Sequence, residues 1–382
     1  EVVKIDKYTV QIKQFQNADQ FPRVLEIFAL YPWDSVEVKK HATADDPWAH
    51  KWVDTQNAPG FGPYCLKSWT KGSQVELTAN PNYYGGQPQF TKVIMRKVPA
   101  ASNRVAAIKA GAADVTFELT PRDIADIRKT ASAKTDVLSW YNNEILALGL
   151  NNAIAPWNLK NNELLRQAVA YVLPIDEIVK LDYLGDAKPW YGLIESPFYG
   201  YKPNPLYAKP NVAKAKALLA QAGFPDGKGL EKYADGLKLY YVQERSGVLE
   251  PIANRIKTAL AAIGITITLN PITNTEYNDR ELTKFDMPMF MRDKVRPFGP
   301  DVGYTALLFY VSKKSGGLVN AGNYSNAAFD ALFFKSQTVG GPARLKLLEQ
   351  MQAILMKDLP LVPVVERPSQ MVVRKGISCW FG

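Results

Sequence analysis

From Pro121 to its end the chain keeps switching its apolar period, and this alternation constrains the fold more than any other feature. Helices place apolar residues three and four apart, whereas strands place them two apart or, when covered on both faces, in unbroken runs. Thr120-Pro121-Arg122-Asp123 has the makings of a helix start, with Thr as cap, Pro at the first position and Asp at the third. A helix beginning near Asn161-Asn162 carries Leu164, Leu165, Ala168, Val169 and Val172 on one face. Another runs from about Val212 to Ala222 and stops at Gly223, which suits a left-handed cap. A strand is predicted over Leu237 to Val242, then a helix from about Val248 to Ile263 ended by Gly264. A strand over Ile265 to Leu269 follows, its apolar residues alternating with Thr. Phe285 to Met291 reads as a buried strand weakened by Pro288. Helices near Ala327 to Lys335 and Pro342 to Lys357 lead into a strand over Leu361 to Val365. Such an order builds an α/β lobe around a central sheet.

The first part differs. Residues 1–100 are strand-rich and broken by Pro and Gly, with Val3, Ile5, Tyr8, Val10 and Ile12 apolar around a turn-like Asp6-Lys7. The composition changes near Leu150-Asn151, after the apolar run Ile145 to Leu150, and a lobe boundary is expected there. At 382 residues the chain exceeds one ordinary core, so two lobes are expected. No run approaches the roughly 18 apolar residues of a membrane span. The stretch from Glu1 has no signal-peptide pattern and enters directly into a strand pattern, which suggests a mature or truncated chain. The net charge of +9 is spread along the chain without a zinc-finger, RRM or basic-helix pattern, which argues against nucleic-acid binding. The two cysteines, Cys65 and Cys379, have no metal-ligand spacing.

Between Gly60 and Asp114 the chain reads GFGPYCLKSW, a polar turn, VELTANPNYYGGQP, KVIMRKVP and a helix ending in AIKAGAAD. This succession of strand, turn, strand, aromatic loop, strand and helix resembles the large solute-binding proteins of the peptide, opine and nickel uptake family, the extracytoplasmic receptors of ABC importers (family 5). LALGLNNAIAPWNLKNNELLRQAVAYVLPIDEIVK resembles the family's hinge strand and following helix, and AKALLAQAGFPDG its recurrent helix-to-Gly segment. NYSNAAFDALF and LLEQMQAILMKDLPLVPVVE resemble its last helices and returning strand. The resemblance extends from Val2 to Arg374. It implies a two-lobed α/β periplasmic-binding-protein fold, with lobe I over residues 1–148 and 366–382 and lobe II over residues 149–365. It implies a monomeric periplasmic or membrane-associated receptor that captures a peptide-like or other small polar solute and delivers it to a membrane permease. Under it, Cys65 and Cys379 fall in one lobe, where a disulfide is permitted, or both are small buried residues.

Two departures stand out. The chain begins where the family is already well inside lobe I, so a chain of this extent is expected to leave an unpaired sheet edge. Peptide-binding members also carry an Asp for the ligand amine in a Gly-Trp-x-x-Asp-like stretch. Here the stretch is MFMRDKVRPFGPDVGY, and the slot falls between Asp293 and Arg296. An Arg there would favour a carboxylate or phosphate, which a guanidinium fork matches.

The candidate ligand residues are Tyr141, Asn142, Asn143, Trp157, Arg245, Arg292, Asp293 and Arg296. Arg292, Asp293, Lys294 and Arg296 follow a predicted strand of lobe II, where α/β sheets present ligand groups, or form a solvated loop. Arg245 follows another strand and lies close to the family's carboxylate-binding Arg, although the best register puts Gln243 there. Tyr141, Asn142 and Asn143 line a cleft or make a surface turn. Trp157 stacks on ligand or packs under a loop. Asp293 and Asp301 are the acids expected near this cationic wall. Catalysis has little support. His41 and His50 are nine apart in a polar segment, and no GxSxG, HExxH or P-loop occurs, so neither a metal nor another cofactor is expected. A secreted hydrolase on an unrelated fold, and a chaperone-like or sensory protein on the same fold, are the alternatives.

Overall fold

The computed structural model describes residues 1–14, 21–25, 31–55, 58–293, 296–297 and 299–378. It divides into two compact units, Leu25–Ala113 alone and Glu1–Val24 with Asp114–Gly382.

In the smaller unit, Asp34 caps the helix Ser35–Lys40 by accepting from the amides of Val36 and Glu37. The strands whose order the resemblance anticipated are an antiparallel meander of β3 (Tyr64–Thr70), β4 (Gln74–Ala79) and β5 (Lys92–Arg96). The helix Ala101–Ala110 follows and ends at Gly111, whose φ of 75° makes a left-handed cap. His41 and His50 are exposed, and the His41 ring stacks on Trp52 at 3.9 Å. Cys65 is an exposed thiol, and its suggested partner Cys379 lies outside the described residues.

The larger unit opens with an antiparallel hairpin of β1 (Val2–Lys4) and β2 (Val10–Ile12). After Asp114 comes a three-stranded antiparallel sheet in the order β6 (Val115–Phe117), β14 (Ser369–Arg374), β7 (Thr135–Trp140). The helix Pro121–Thr130 begins with a capping box: Thr120 Oγ1 accepts from the Asp123 amide, and the Thr120 amide donates to the Asp123 carboxylate.

The main sheet has six strands in the order β11 (Thr268–Ile272), β10 (Lys238–Val242), β12 (Met289–Arg292), β8 (Ile145–Leu150), β13 (Leu361–Glu366), β9 (Lys188–Pro189). Strands β11, β10 and β12 are parallel, while β8 is antiparallel to both β12 and β13. Every residue of β8, β12 and β13 is buried, as their unbroken apolar runs require. Two strands begin later than expected. Ile265 and Ile267 are buried but precede β11, an edge strand that tolerates Pro271. Phe285 takes a left-handed conformation (φ 54°) that ends the preceding helical turn, so β12 starts only beyond Pro288.

The chain passes between these two sheets twice, through residues 141–144 and residues 367–368. The expected cut points, 148/149 and 365/366, fall inside β8 and β13. Asn151 fixes the far end of β8. It is fully buried, and its Nδ2 donates to the carbonyls of Phe285 and Met287 at 3.0 Å each.

Gly149 on β8 is paired with Phe290 on β12. A Cβ there would sit 2.2 Å from Phe290 Cζ, and Phe290 is fully buried. Gly149→Ala is therefore expected to destabilise the unit by about 1–3 kcal/mol through overpacking. Chemical denaturation checks this, and an unchanged midpoint and slope would contradict it.

Candidate functional site

Because β10, β12 and β13 run one way and β8 the other, the ends of the first three and the start of the fourth share one edge of the sheet. Five charged residues meet there: Arg245 beyond β10, Asp293 and Arg296 beyond β12, Glu144 before β8, and Arg367 beyond β13. Arg245 Nη1 lies 2.6 Å from Asp293 Oδ2. Glu144 pairs through one oxygen with Arg296 and through the other with Arg367, the latter at 2.6 Å. Arg367 Nη2 also donates to the Asp293 carbonyl at 3.1 Å, and the Arg367 amide donates to the Glu144 carbonyl at 3.0 Å. Ser369 Oγ donates to Glu144 Oε1 at 3.1 Å.

This network is charge-paired but poorly satisfied by aligned hydrogen bonds. Among the described residues, Arg296 Nε and Arg367 Nε are buried donors without acceptors. Glu144 Oε2 and both Asp293 oxygens are buried without an aligned donor, although their ion-pair partners are close. Among the five, three guanidiniums face two carboxylates, and the Glu118 carboxylate also acts on Arg367. Burial pulls the Arg296 guanidinium below its usual pKa, with Glu144 opposing and Arg367 and Arg245 reinforcing. Burial also acts to lower Arg367, but Glu144, Tyr183 and Asp293 outweigh it and hold Arg367 above its ordinary value. The Tyr183 hydroxyl is pushed up to about 12 by burial, with Arg367 and Arg245 pulling it back.

The structure brings Arg245, Asp293 and Arg296 together. It places Asn143 beside them, with Nδ2 donating to the Pro297 carbonyl at 2.8 Å. Asn142 Oδ1 lies 3.1 Å from the same Ser369 Oγ, whose one proton it shares with Glu144. Tyr141 is half-exposed; its hydroxyl donates to the Asp186 carbonyl at 2.6 Å and Lys188 Nζ lies 4.5 Å above its ring. Lys294 lies outside the described residues.

Three expectations are corrected. Trp157 is fully buried at the opposite end of the sheet, where Nε1 donates to the Gly236 carbonyl at 2.8 Å, so it is core. Arg292 is the last residue of β12 and points into the interior, its guanidinium carbon 3.2 Å from the Phe309 ring centroid, so it contributes no charge to the wall. Asp301 is 1% exposed and bound by Arg344 at 2.6 Å, away from the arginine group. The sequence reading missed Glu144 and Arg367. Each adjoins a strand that reading had placed at a passage between lobes, and charged residues at the ends of buried strands were the available signal.

Among the described residues no three His, Cys, Asp or Glu side chains are arranged to hold a metal ion, and no helix is long and apolar enough to cross a membrane.

Residues 1–316 match the family model described as bacterial extracellular solute-binding proteins, family 5 Middle. The chain is 26% identical over 345 residues to the probable D,D-dipeptide-binding periplasmic protein DdpA of Escherichia coli K12, covering 89% of this chain and 62% of that protein. It is 24% identical over 309 residues to the nickel-binding protein NikA of Staphylococcus aureus, covering 80% of this chain and 59% of the relative. The chain thus spans about three fifths of the length of these curated relatives. Among solved structures, it superposes on the periplasmic binding protein DppA of Helicobacter pylori in complex with the peptide STSA. The TM-score is 0.80 at 22% identity, over 99% of this chain and 70% of that one. The fold is the two-lobed α/β fold of periplasmic binding proteins, and the chain belongs to the bacterial extracellular solute-binding proteins of family 5.

Proposed function

We propose that this chain forms the greater part of an ABC-importer receptor that captures a small peptide-like solute bearing a carboxylate and delivers it to a membrane permease outside the cytoplasm. The observation that carries this reading is the arginine group at the sheet edge. Buried donors without acceptors are costly. A ligand carboxylate supplies an acceptor to these guanidiniums, whose fork suits it geometrically. Asp293, one of the two residues between which the amine-binding slot falls, is already paired with Arg245. This disfavours a ligand held chiefly by its ammonium.

In this reading the two lobes meet at residues 141–144 and 367–368, a few residues from the expected cuts at 148/149 and 365/366, which would split β8 and β13. The receptor is a monomer, works by ligand-biased closure about residues 141–144 and 367–368, and performs no catalysis. Two relatives support solute capture: DdpA is named for D,D-dipeptides and NikA for nickel. Arg296 and Arg367 are the residues proposed to hold the carboxylate, with Asn143 positioning the loop that bears Arg296.

Calorimetric titration with a dipeptide and with its C-terminal amide tests the reading. The acid is expected to bind about tenfold more tightly, a difference of about 1.4 kcal/mol. Arg296→Ala is expected to remove most of that preference, costing about 1–2 kcal/mol because the side chain is about one third exposed. Equal affinity for acid and amide in the unaltered protein would overturn the assignment.

A further inference from the structure

The other end of the six-stranded sheet carries a second polar site, separated from the arginine group by the six residues of β8, roughly 20 Å. A cavity of about 350 Å³ opens there. It is lined by Asn152 beyond β8, Glu163 and Arg166 on the helix Asn162–Ala170, Asn323, and Lys357 and Asp358 at the end of the helix Gly341–Asp358.

Arg166 is 4% exposed. Its Nε donates to the Asp358 carbonyl at 2.6 Å and its Nη1 to the Trp157 carbonyl at 3.2 Å. These bonds lock the guanidinium in place, and its Nη2 has no partner among the described residues. Asp358 is equally fixed, its Oδ2 accepting from Tyr324 Oη at 2.6 Å and Asn326 Nδ2 at 2.7 Å. Both groups are held by one side and presented by the other, which is how a preformed site is built. Neither Glu163 nor Lys357 has a side-chain partner among the described residues.

Two cations and two anions thus border one cavity and sum to zero. A singly charged ligand would leave one of these groups facing a like charge or nothing, whereas a zwitterion complements both signs. At roughly 30 Å³ per water the cavity holds on the order of ten waters, enough for a solute of amino-acid to dipeptide size. We propose that this cavity binds a small zwitterion, its carboxylate against Arg166 Nη2 and Lys357 and its ammonium against Glu163 and Asp358. The site is independent of the arginine group and of the solute proposed for it.

Backbone amide NMR of the labelled chain, titrated with L-alanine, N-acetyl-L-alanine and L-alaninamide, tests the site. L-Alanine is expected to shift the amides of Asn152, Glu163 and Lys357, and each blocked compound to bind about tenfold more weakly. Glu163→Gln and Lys357→Ala, at positions not committed to the core, are each expected to weaken L-alanine about fivefold. Arg296→Ala should leave this titration unchanged, separating it from the proposal for the arginine group. No shift at these amides, equal binding of all three compounds, or full affinity in both pocket variants would overturn the assignment.

Discussion

Arg344→Ala is expected to lower the unfolding free energy by about 3–5 kcal/mol, more than any other single substitution considered for this chain. Arg344 is fully buried, and its two terminal nitrogens grip Asp301 in parallel, Nη2 to Oδ1 at 2.6 Å and Nη1 to Oδ2 at 2.9 Å. Asp301 Oδ1 also accepts from the Gly303 amide at 2.7 Å, capping the helix Val302–Phe309. One carboxylate therefore joins two helices far apart in sequence. Truncating the arginine strips a buried carboxylate of its bidentate partner, and the desolvation cost of that charge is no longer offset. Asp301→Asn in the same background keeps an acceptor for the cap while removing the charge. The double variant is expected to regain about 1–2 kcal/mol of the loss. Denaturant unfolding of the two variants measures both quantities, and a loss under about 1 kcal/mol for Arg344→Ala would show that the pair contributes little.

That pair also illustrates what the sequence conceals. Asp301 was read as an acid of the ligand wall because it is close in sequence to Arg296. Its actual partner is 43 positions away on another helix, and nothing local announces it. Arg292 was misread for a different reason. With the strand expected to end at Met291, Arg292 looked like the first loop residue; β12 in fact runs through Arg292 and carries it into the interior. One residue of error at a strand end moves a side chain from the site to the core. Features set by local chemistry were legible. The Thr120–Asp123 box, the left-handed Gly223 after the helix Val212–Gln221 and the apolar runs of β8 and β13 depend on neighbours in sequence, and the structure carries them as read. The arginine group was half legible. Arg245, Asp293 and Arg296 follow recognisable strands, but the pairing of Glu144 with Arg367 depends on β8 lying between β12 and β13, an order that no local pattern specifies.

Two glutamates buried near Arg292 create a dependence on pH. Glu195 is 1% exposed, and burial pushes its carboxyl up to about 7, with Arg292 and a 3.2 Å hydrogen bond from Thr305 Oγ1 pulling it down. Glu281 is also 1% exposed; burial pushes it up to about 7 with Arg292 again opposing, and its Oε2 has no hydrogen-bond partner among the described residues. A single guanidinium cannot compensate two buried carboxylates, so the folded state holds on to protons that the unfolded chain releases near its ordinary value of 4.5. Below about pH 4.5 both states are protonated and neither glutamate costs stability. Between about pH 4.5 and 7 the unfolded chain binds fewer protons than the folded one, so the contribution of each group to stability falls as pH rises. Above about pH 8 both states are ionised and the loss is complete, at about 3 kcal/mol per group. Glu281→Gln isolates one of them, because the amide keeps the shape of the protonated acid and does not titrate. The stability of Glu281→Gln relative to the unaltered chain is expected to rise by about 2–3 kcal/mol between pH 4.5 and pH 8. The change with pH is the readout, so any constant offset from the new amide drops out. Paired denaturation curves across that range measure it, and a difference that stays flat would mean that Glu281 is ionised in the folded chain and held by Arg292.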